Sequence, residues 1–240
     1  IKEKTLWLPK IERAPAISSD IVRAVRNLLH TEVDYRKKFL NMIGTKINEE
    51  RPPLDKKNDW VRITALGGYN QVGRSCSLLQ TRRSNVMLDC GVDVANDAGP
   101  MLEAPEFDLE KLDAIVLSHA HLDHCGWIPF LYDQGFKGPL YCTAPTRDLM
   151  TLLCLDYIDV AHKNGKDVYN KKAVEKTIKH SVVLDYGEVS DITNDMRLTL
   201  QPAGHLLGSS LVHIHIGEGL HNLLYTGDLK FGPSRLFDAA

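Results

Sequence analysis

Residues 118–127 read SHAHLDHCGW, and this stretch decides how the rest of the chain is read. It places His119, His121, Asp123 and His124 within six positions. Imidazole nitrogens and carboxylate oxygens are suitable donors for zinc and similar ions. In an extended stretch the side chains at i and i+2 point the same way, so His119 and His121 can grip one ion together. Asp123 and His124 come at the next turn and can face a second ion beside it. Gly126 then permits a tight path from strand to helix. A surface loop has no need of four donors in the order H-x-H-x-D-H.

Working outward, the preceding residues 113–118, DAIVLS, form a short apolar run with a β-branched centre, which predicts a buried strand. Two later loops carry further donors. His205 lies in AGHLLG at 203–208, after a strand predicted over 197–201, and Asp228 ends a strand in YTGD at 225–228. A carboxylate can bridge two cations with one oxygen on each. Asp89, in MLDCG at 87–91, also ends a strand. It is read either as a turn carboxylate or as an acceptor that orients a ligand histidine from behind. His213 and His215 alternate on a predicted strand and are read as one face of it. His30, His162, His180 and His221 show no ligand pattern.

The other predicted elements surround these loops. Ser18 and Ser19 are N-caps for a helix to about Leu29. Thr31 is expected to cap a second helix with Tyr35, Phe39, Leu40, Ile43 and Ile47 on one face. Residues 51–58, RPPLDKKN, read as a linker after a short β-like stretch at Thr5–Leu8 and breaks at Pro9 and Pro15. Strands are expected at 60–66, 75–80, 85–89, 139–143, 181–184, 211–216 and 222–226. Helices are expected at 146–162, with an apolar stripe of Leu149, Leu152, Leu153 and Ile158, and at 171–179. Many strands with few helices suggest sheets flanked by helices, an α/β or α+β layering.

Composition agrees with a globular chain: 240 residues, 43% hydrophobic and 25% charged. No apolar run approaches the ~18–20 residues of a membrane span, and no signal-peptide core opens the chain, so a soluble cytoplasmic protein is expected. The five cysteines form no C-x-x-C pair and fit a reducing compartment. The net charge of -2 divides into +4 over residues 1–60 and -6 over 61–240. A mildly basic head can meet nucleic acid, and bound cations would invert the field of an acidic body.

These words together resemble the metallo-β-lactamase fold, and more narrowly its β-CASP branch that acts on nucleic acids. The narrowing residues are GGYNQVGRSCS at 67–77, MLDCG, SHAHLDHCGWIPFL at 118–131, PAGHLLGSS at 202–210 and YTGDLKFGPSRLF at 225–237. The resemblance runs from about Asp59 to Ala240 and is nearest to archaeal homologues of the cleavage and polyadenylation specificity factor endonuclease subunit. It implies the N-terminal portion of a four-layer αββα sandwich over 59–240. Residues 1–58 are similar to the tail of a KH region with a linker, although they contain no RNA-gripping G-x-x-G loop.

The resemblance also implies a function. One metal would be held by His119, His121 and His205, a second by Asp123 and His124, with Asp228 and a water or hydroxide between them. Zinc is the expected ion, with manganese as the alternative. Two cations ~3.5–4 Å apart acidify that water and clamp phosphate oxygens. The implied reaction is hydrolysis of RNA phosphodiester bonds in 3′-end processing, transcription termination or decay, with Asp123, His124 and Asp228 catalytic. RNA is the implied partner, together with a homodimer in the full-length protein and no membrane. In the family a further ligand histidine and a general-acid histidine lie beyond the matched region. These 240 residues are thus expected to be part of a longer enzyme, with weak occupancy of the second site and little activity alone. A thioester or lactam hydrolase and a non-catalytic RNA-binding scaffold are the competing readings.

Overall fold

The computed structural model describes residues 18–50, 59–96, 98–232, 237 and 239–240. The β-like stretch at Thr5–Leu8, the prolines at 9 and 15, the linker at 51–58 and residues 233–236 of the last motif lie outside them.

Alternation and apolar runs resolve into two sheets. β1 (Val61–Gly67), β2 (Cys76–Thr81), β3 (Asn85–Leu88), β4 (Ala114–Val116), β5 (Leu140–Cys142) and β6 (Ser181–Val183) form the first, in that spatial order. β1 to β3 are antiparallel, and β3 to β6 run parallel. β7 (Val189–Asp191), β8 (Met196–Pro202), β9 (Ser210–Ile216) and β10 (His221–Tyr225) form the second sheet, antiparallel throughout, in the order β10-β9-β8-β7.

From β2 to β5 the first sheet is buried on both faces, as its continuous apolar strands require, while β1 is half exposed at the edge. One face, with Leu79, Val86, Leu88, Ala114 and Val116, packs on Leu198, Leu200, Val212 and Ile214 of the second sheet. The other face, with Leu78, Met87, Ile115, Leu117 and Leu140, is covered by helices. These are α1 (Asp20–Thr31), α3 (Leu122–Cys125), α4 (Ile128–Asp133), α5 (Ala144–Lys163) and α6 (Lys171–His180). The described residues therefore build three layers, helix on sheet on sheet. Arg197, Thr199, His213 and His215 alternate with the buried residues of β8 and β9, so they lie on the outer face of the second sheet.

α2 (Val33–Ile47) docks on the same helical layer. Arg36 donates to the carbonyls of Lys179 and Ser181 at 2.6 and 3.0 Å, and Tyr35 meets His180 Nε2 at 2.9 Å. Asn194 Nδ2 holds the far end through the carbonyls of Ile47 and Glu49.

Several expectations need correction. Thr31 ends α1 and does not cap α2: its hydroxyl turns back to the carbonyl of Asn27 at 2.9 Å, and Glu32 takes the cap position without a side-chain bond. Phe39 and Ile43 are buried and Leu40 is exposed, while Tyr35, also exposed in part, reaches the docking face through its hydroxyl and Arg36 shares that face. On α5 the buried face runs through Met150, Cys154, Tyr157, Ile158 and Ala161. Leu152 is exposed there, while Leu149 and Leu153 pack at the margin of the core. β7 was not anticipated, because its three residues, Val-Ser-Asp, carry no apolar alternation.

Candidate metal centre

The functional side chains leave one end of the sandwich, at the C-terminal ends of β3, β4, β8 and β10. Asp89 follows β3 with a φ of 57°, and its N–H is held by the carbonyl of Val116 at 2.9 Å. Ser118 and His119 follow β4. His121 caps the one-turn helix α3, which carries Asp123 and His124. The carbonyls of Leu122, Asp123 and His124 accept from the backbone N–H groups of Val92, Ser75 and Cys90 at 2.7–3.0 Å. Gly91 is required by this approach, since a Cβ there would stand 1.6 Å from the carbonyl oxygen of Asp123.

The loop bearing His205 is pinned at several points. Thr143 and Thr146 both donate to the carbonyl of Gly208 at 2.8 Å. Ser209 Oγ accepts from the N–H of His205 at 3.2 Å, and Ser210 donates to the carbonyl of Ser118. The N–H of Lys230 reaches the carbonyl of Ala203 at 2.8 Å, tying the Asp228 loop to the His205 loop.

His119, His121, His205 and Asp228 converge. His121 Nδ1 lies 3.1 Å from His119 Nε2 and 3.2 Å from His205 Nε2. Asp228 Oδ2 lies 3.8 Å from His119 Nε2 and 3.5 Å from His205 Nε2. A tetrahedral site with ~2.0–2.1 Å bonds needs donors about 3.3 Å apart, so this donor set fits a zinc-sized ion. On the other side of the same carboxylate, Asp228 Oδ1 lies 3.5 Å from His124 Nε2, which in turn lies 3.8 Å from Asp123 Oδ2. One carboxylate thus presents an oxygen to each donor group.

Asp89 stands behind the centre, fully buried. Its Oδ2 accepts from His124 Nδ1 at 2.7 Å. Sequence reasoning did not single out Ser118, Ser75 or Tyr225. Ser118 Oγ and the Tyr225 hydroxyl also donate to Asp89, and Ser75 Oγ lies 3.4 Å from His124 Nε2. The signal available was that each falls inside one of the quoted motifs. His213 and His215 stay on the outer face of β9, and His215 bonds Asn222 at 3.0 Å.

This arrangement accompanies a match to the metallo-beta-lactamase superfamily model over residues 69–240. The chain belongs to the metallo-beta-lactamase superfamily. Among curated relatives of this superfamily member, the transcription termination factor FttA of Methanothermobacter thermautotrophicus is 53% identical over 100% of this chain and 38% of the relative. The transcription termination factor FttA of Methanosarcina mazei is 50% identical over 98% of this chain and 37% of the relative. The chain therefore spans less than two fifths of the length of these curated relatives. Among solved structures, the metallo-beta-lactamase fold protein YhfI from Bacillus subtilis has a TM-score of 0.46 at 21% identity, covering 72% of this chain and 64% of that one. The family resemblance drawn from the motifs stands, and the relatives are archaeal. Among the described residues no helix is long and apolar enough to cross a membrane.

The electrostatics of this superfamily centre follow from burial and from Asp89. Burial, followed by the neighbouring His124, pushes the His119 imidazole down to about 3. Burial and His205 lower His121 as well. Burial also penalises a proton on His124, but the hydrogen bond and charge of Asp89, with Asp123 and Asp228, outweigh it and raise the group. Burial opposes ionisation of Asp89, yet its bonds from His124 and Ser118 hold the carboxyl below its usual range. The neutral imidazoles of His119 and His121 are the protonation states that metal ligation requires, whereas His124 must give up a proton from Nε2 to bind an ion.

Proposed function

We propose that the chain carries the metal centre of a hydrolase that cleaves RNA phosphodiester bonds in 3′-end processing, transcription termination or decay. The observation that carries this reading is the pair of donor groups on either side of the Asp228 carboxylate. The transcription termination factors among the relatives support an RNA substrate. Residues 1–58 are taken as the end of an RNA-binding KH region and its linker, and 59–240 as the N-terminal portion of the catalytic domain.

His119, His121 and His205 would hold one divalent cation, and Asp123 and His124 the second, with Asp228 between them. Zinc suits the imidazole-rich set, and manganese is the alternative. Two such cations, when bound, supply Lewis-acid stabilisation of phosphoryl oxygens and an acidified water. The chain's own residues do the rest. Asp89 holds His124 by Nδ1, leaving Nε2 directed into the centre. Asp123, one third exposed at the rim, would orient an attacking water and take its proton. His119, with no exposed side-chain surface, keeps bulk water from the back of the site. The acidic body needs no cluster of Lys and Arg at the site, because the cations would provide the positive field.

A substrate panel tests this reading. The longer protein, supplied with zinc or manganese, is expected to hydrolyse single-stranded RNA and to leave thioesters and lactams intact, with a chelator abolishing the reaction. Hydrolysis of a thioester or lactam without RNA cleavage would overturn it. RNA binding with no hydrolysis under any metal would favour the scaffold reading.

A further inference from the structure

The donors around Asp89 reach both halves of the centre. Asp89 Oδ2 accepts from Ser118 Oγ at 2.7 Å, from His124 Nδ1 at 2.7 Å and from the Tyr225 hydroxyl at 2.8 Å, while Oδ1 accepts from the Ser118 N–H at 2.7 Å. A serine hydroxyl has one proton to donate. Ser118 spends it on the carboxylate. His119 Nδ1, 3.0 Å from the same oxygen, must therefore be the donor in that contact. This fixes His119 as the Nδ1–H tautomer with its lone pair on Nε2. An ionised carboxylate accepts only, so Nδ1 of His124 also carries a proton, and the neutral form of His124 is the Nδ1–H tautomer. Both Nε2 atoms then face Asp228, one towards each oxygen, at 3.8 and 3.5 Å.

Two contacts connect the hydroxyl network to the bridging carboxylate. Tyr225, three residues before Asp228, bonds Asp89 from the end of β10. Gly227, with a φ of 48°, lies so close that a Cβ there would stand 2.5 Å from Ser118 Oγ. The loop of Asp228 rests on the hydroxyl that sets His119.

We propose that Ser118 and Tyr225 are positioning residues which, through Asp89, set the tautomer and aim of His119 and His124 together, so that the two donor groups are preorganised as one unit. His119 belongs to one group and His124 to the other, and one carboxylate serves both. Loss of either hydroxyl is then felt in both halves, although Tyr225 bonds only the carboxylate. This inference rests on the metal-centre reading above.

The test uses the chain with 15N-labelled histidine, first metal-free and then titrated with Co2+. At a pH where both rings are neutral, the wild type is expected to show single Nδ1–H tautomers at His119 and His124. Ser118→Ala is expected to release the His119 tautomer and to shift His124. Tyr225→Phe, which removes one oxygen and keeps the ring, is expected to shift both imidazole signals and alter the Co2+ absorption spectrum. Both variants should weaken Co2+ binding by about 10–100-fold, the usual range for partners behind a ligand. If Ser118→Ala does not fold, Tyr225→Phe carries the test alone. Mixed tautomers in the wild type, or imidazole signals and Co2+ affinity unchanged by the folded variants, would overturn the proposal. Locked tautomers in a wild type that takes up no divalent ion would support the network and overturn the metal-centre reading instead.

Discussion

At the scale of single residues, the centre depends on groups that allow its ligands to approach. Gly91 is the clearest case, because its Cα lies against the carbonyl of Asp123. Gly91→Ala is expected to push α3 away from β3, with a loss of about 3 kcal/mol. Chemical denaturation and metal uptake would show both effects together, and a variant of wild-type stability that keeps its metal would contradict the reading. His213→Ala and His215→Ala should leave metal uptake unchanged, since both rings lie on the outer face of β9. Metal content by emission spectroscopy checks this. The donors at 119, 121, 123 and 124 were legible because four ligand types fall in one short word of sequence. Ser118 and Tyr225 were not, since a hydroxyl gains its role only when the C-terminal ends of β4 and β10, in different sheets, meet at Asp89.

At the scale of elements, α2 illustrates how a helix is fastened. Its docking contacts are polar as well as apolar: Arg36 on two carbonyls, and Tyr35 on a buried His180 whose Nδ1 donates to the carbonyl of Lys176 at 2.7 Å. Burial, with Lys179, Arg36 and Lys176 nearby, lowers the His180 pKa. An unfolded histidine takes its proton near ~6.5, before the docked one does. Stability from this joint is therefore present above that pH and is lost as pH falls through the window below it. Hydrogen exchange in residues 33–47, corrected for intrinsic rates, should quicken between pH 7 and pH 5.5, and less so in Tyr35→Phe. An unchanged exchange ratio would contradict the account. Helical spacing made α2 legible, but the docking face was misjudged because apolar counting overlooks an arginine that satisfies carbonyls. β7 escaped because three residues at a sheet edge take their conformation from β8 rather than from their own pattern.

At the scale of the whole molecule, the two sheets pack face to face and the loops at one end carry the donor groups. The inter-sheet core should respond as a packed interior. Leu198→Ala removes a fully buried side chain between the sheets and is expected to cost about 2–5 kcal/mol by urea denaturation. Layering was legible from the strand count, but which strands share a sheet was not, because β5 and β6 pair across a long helical connection. Metal-dependent cleavage of RNA at the donor groups around Asp228 is what we propose. The most direct measurement compares the longer protein with its His121→Ala variant on labelled single-stranded RNA in the presence of zinc or manganese, with RNA binding followed in parallel. The variant is expected to bind RNA as before and to cleave it at least about a hundredfold more slowly, as loss of a metal ligand should dictate. Cleavage at the wild-type rate by His121→Ala would contradict it.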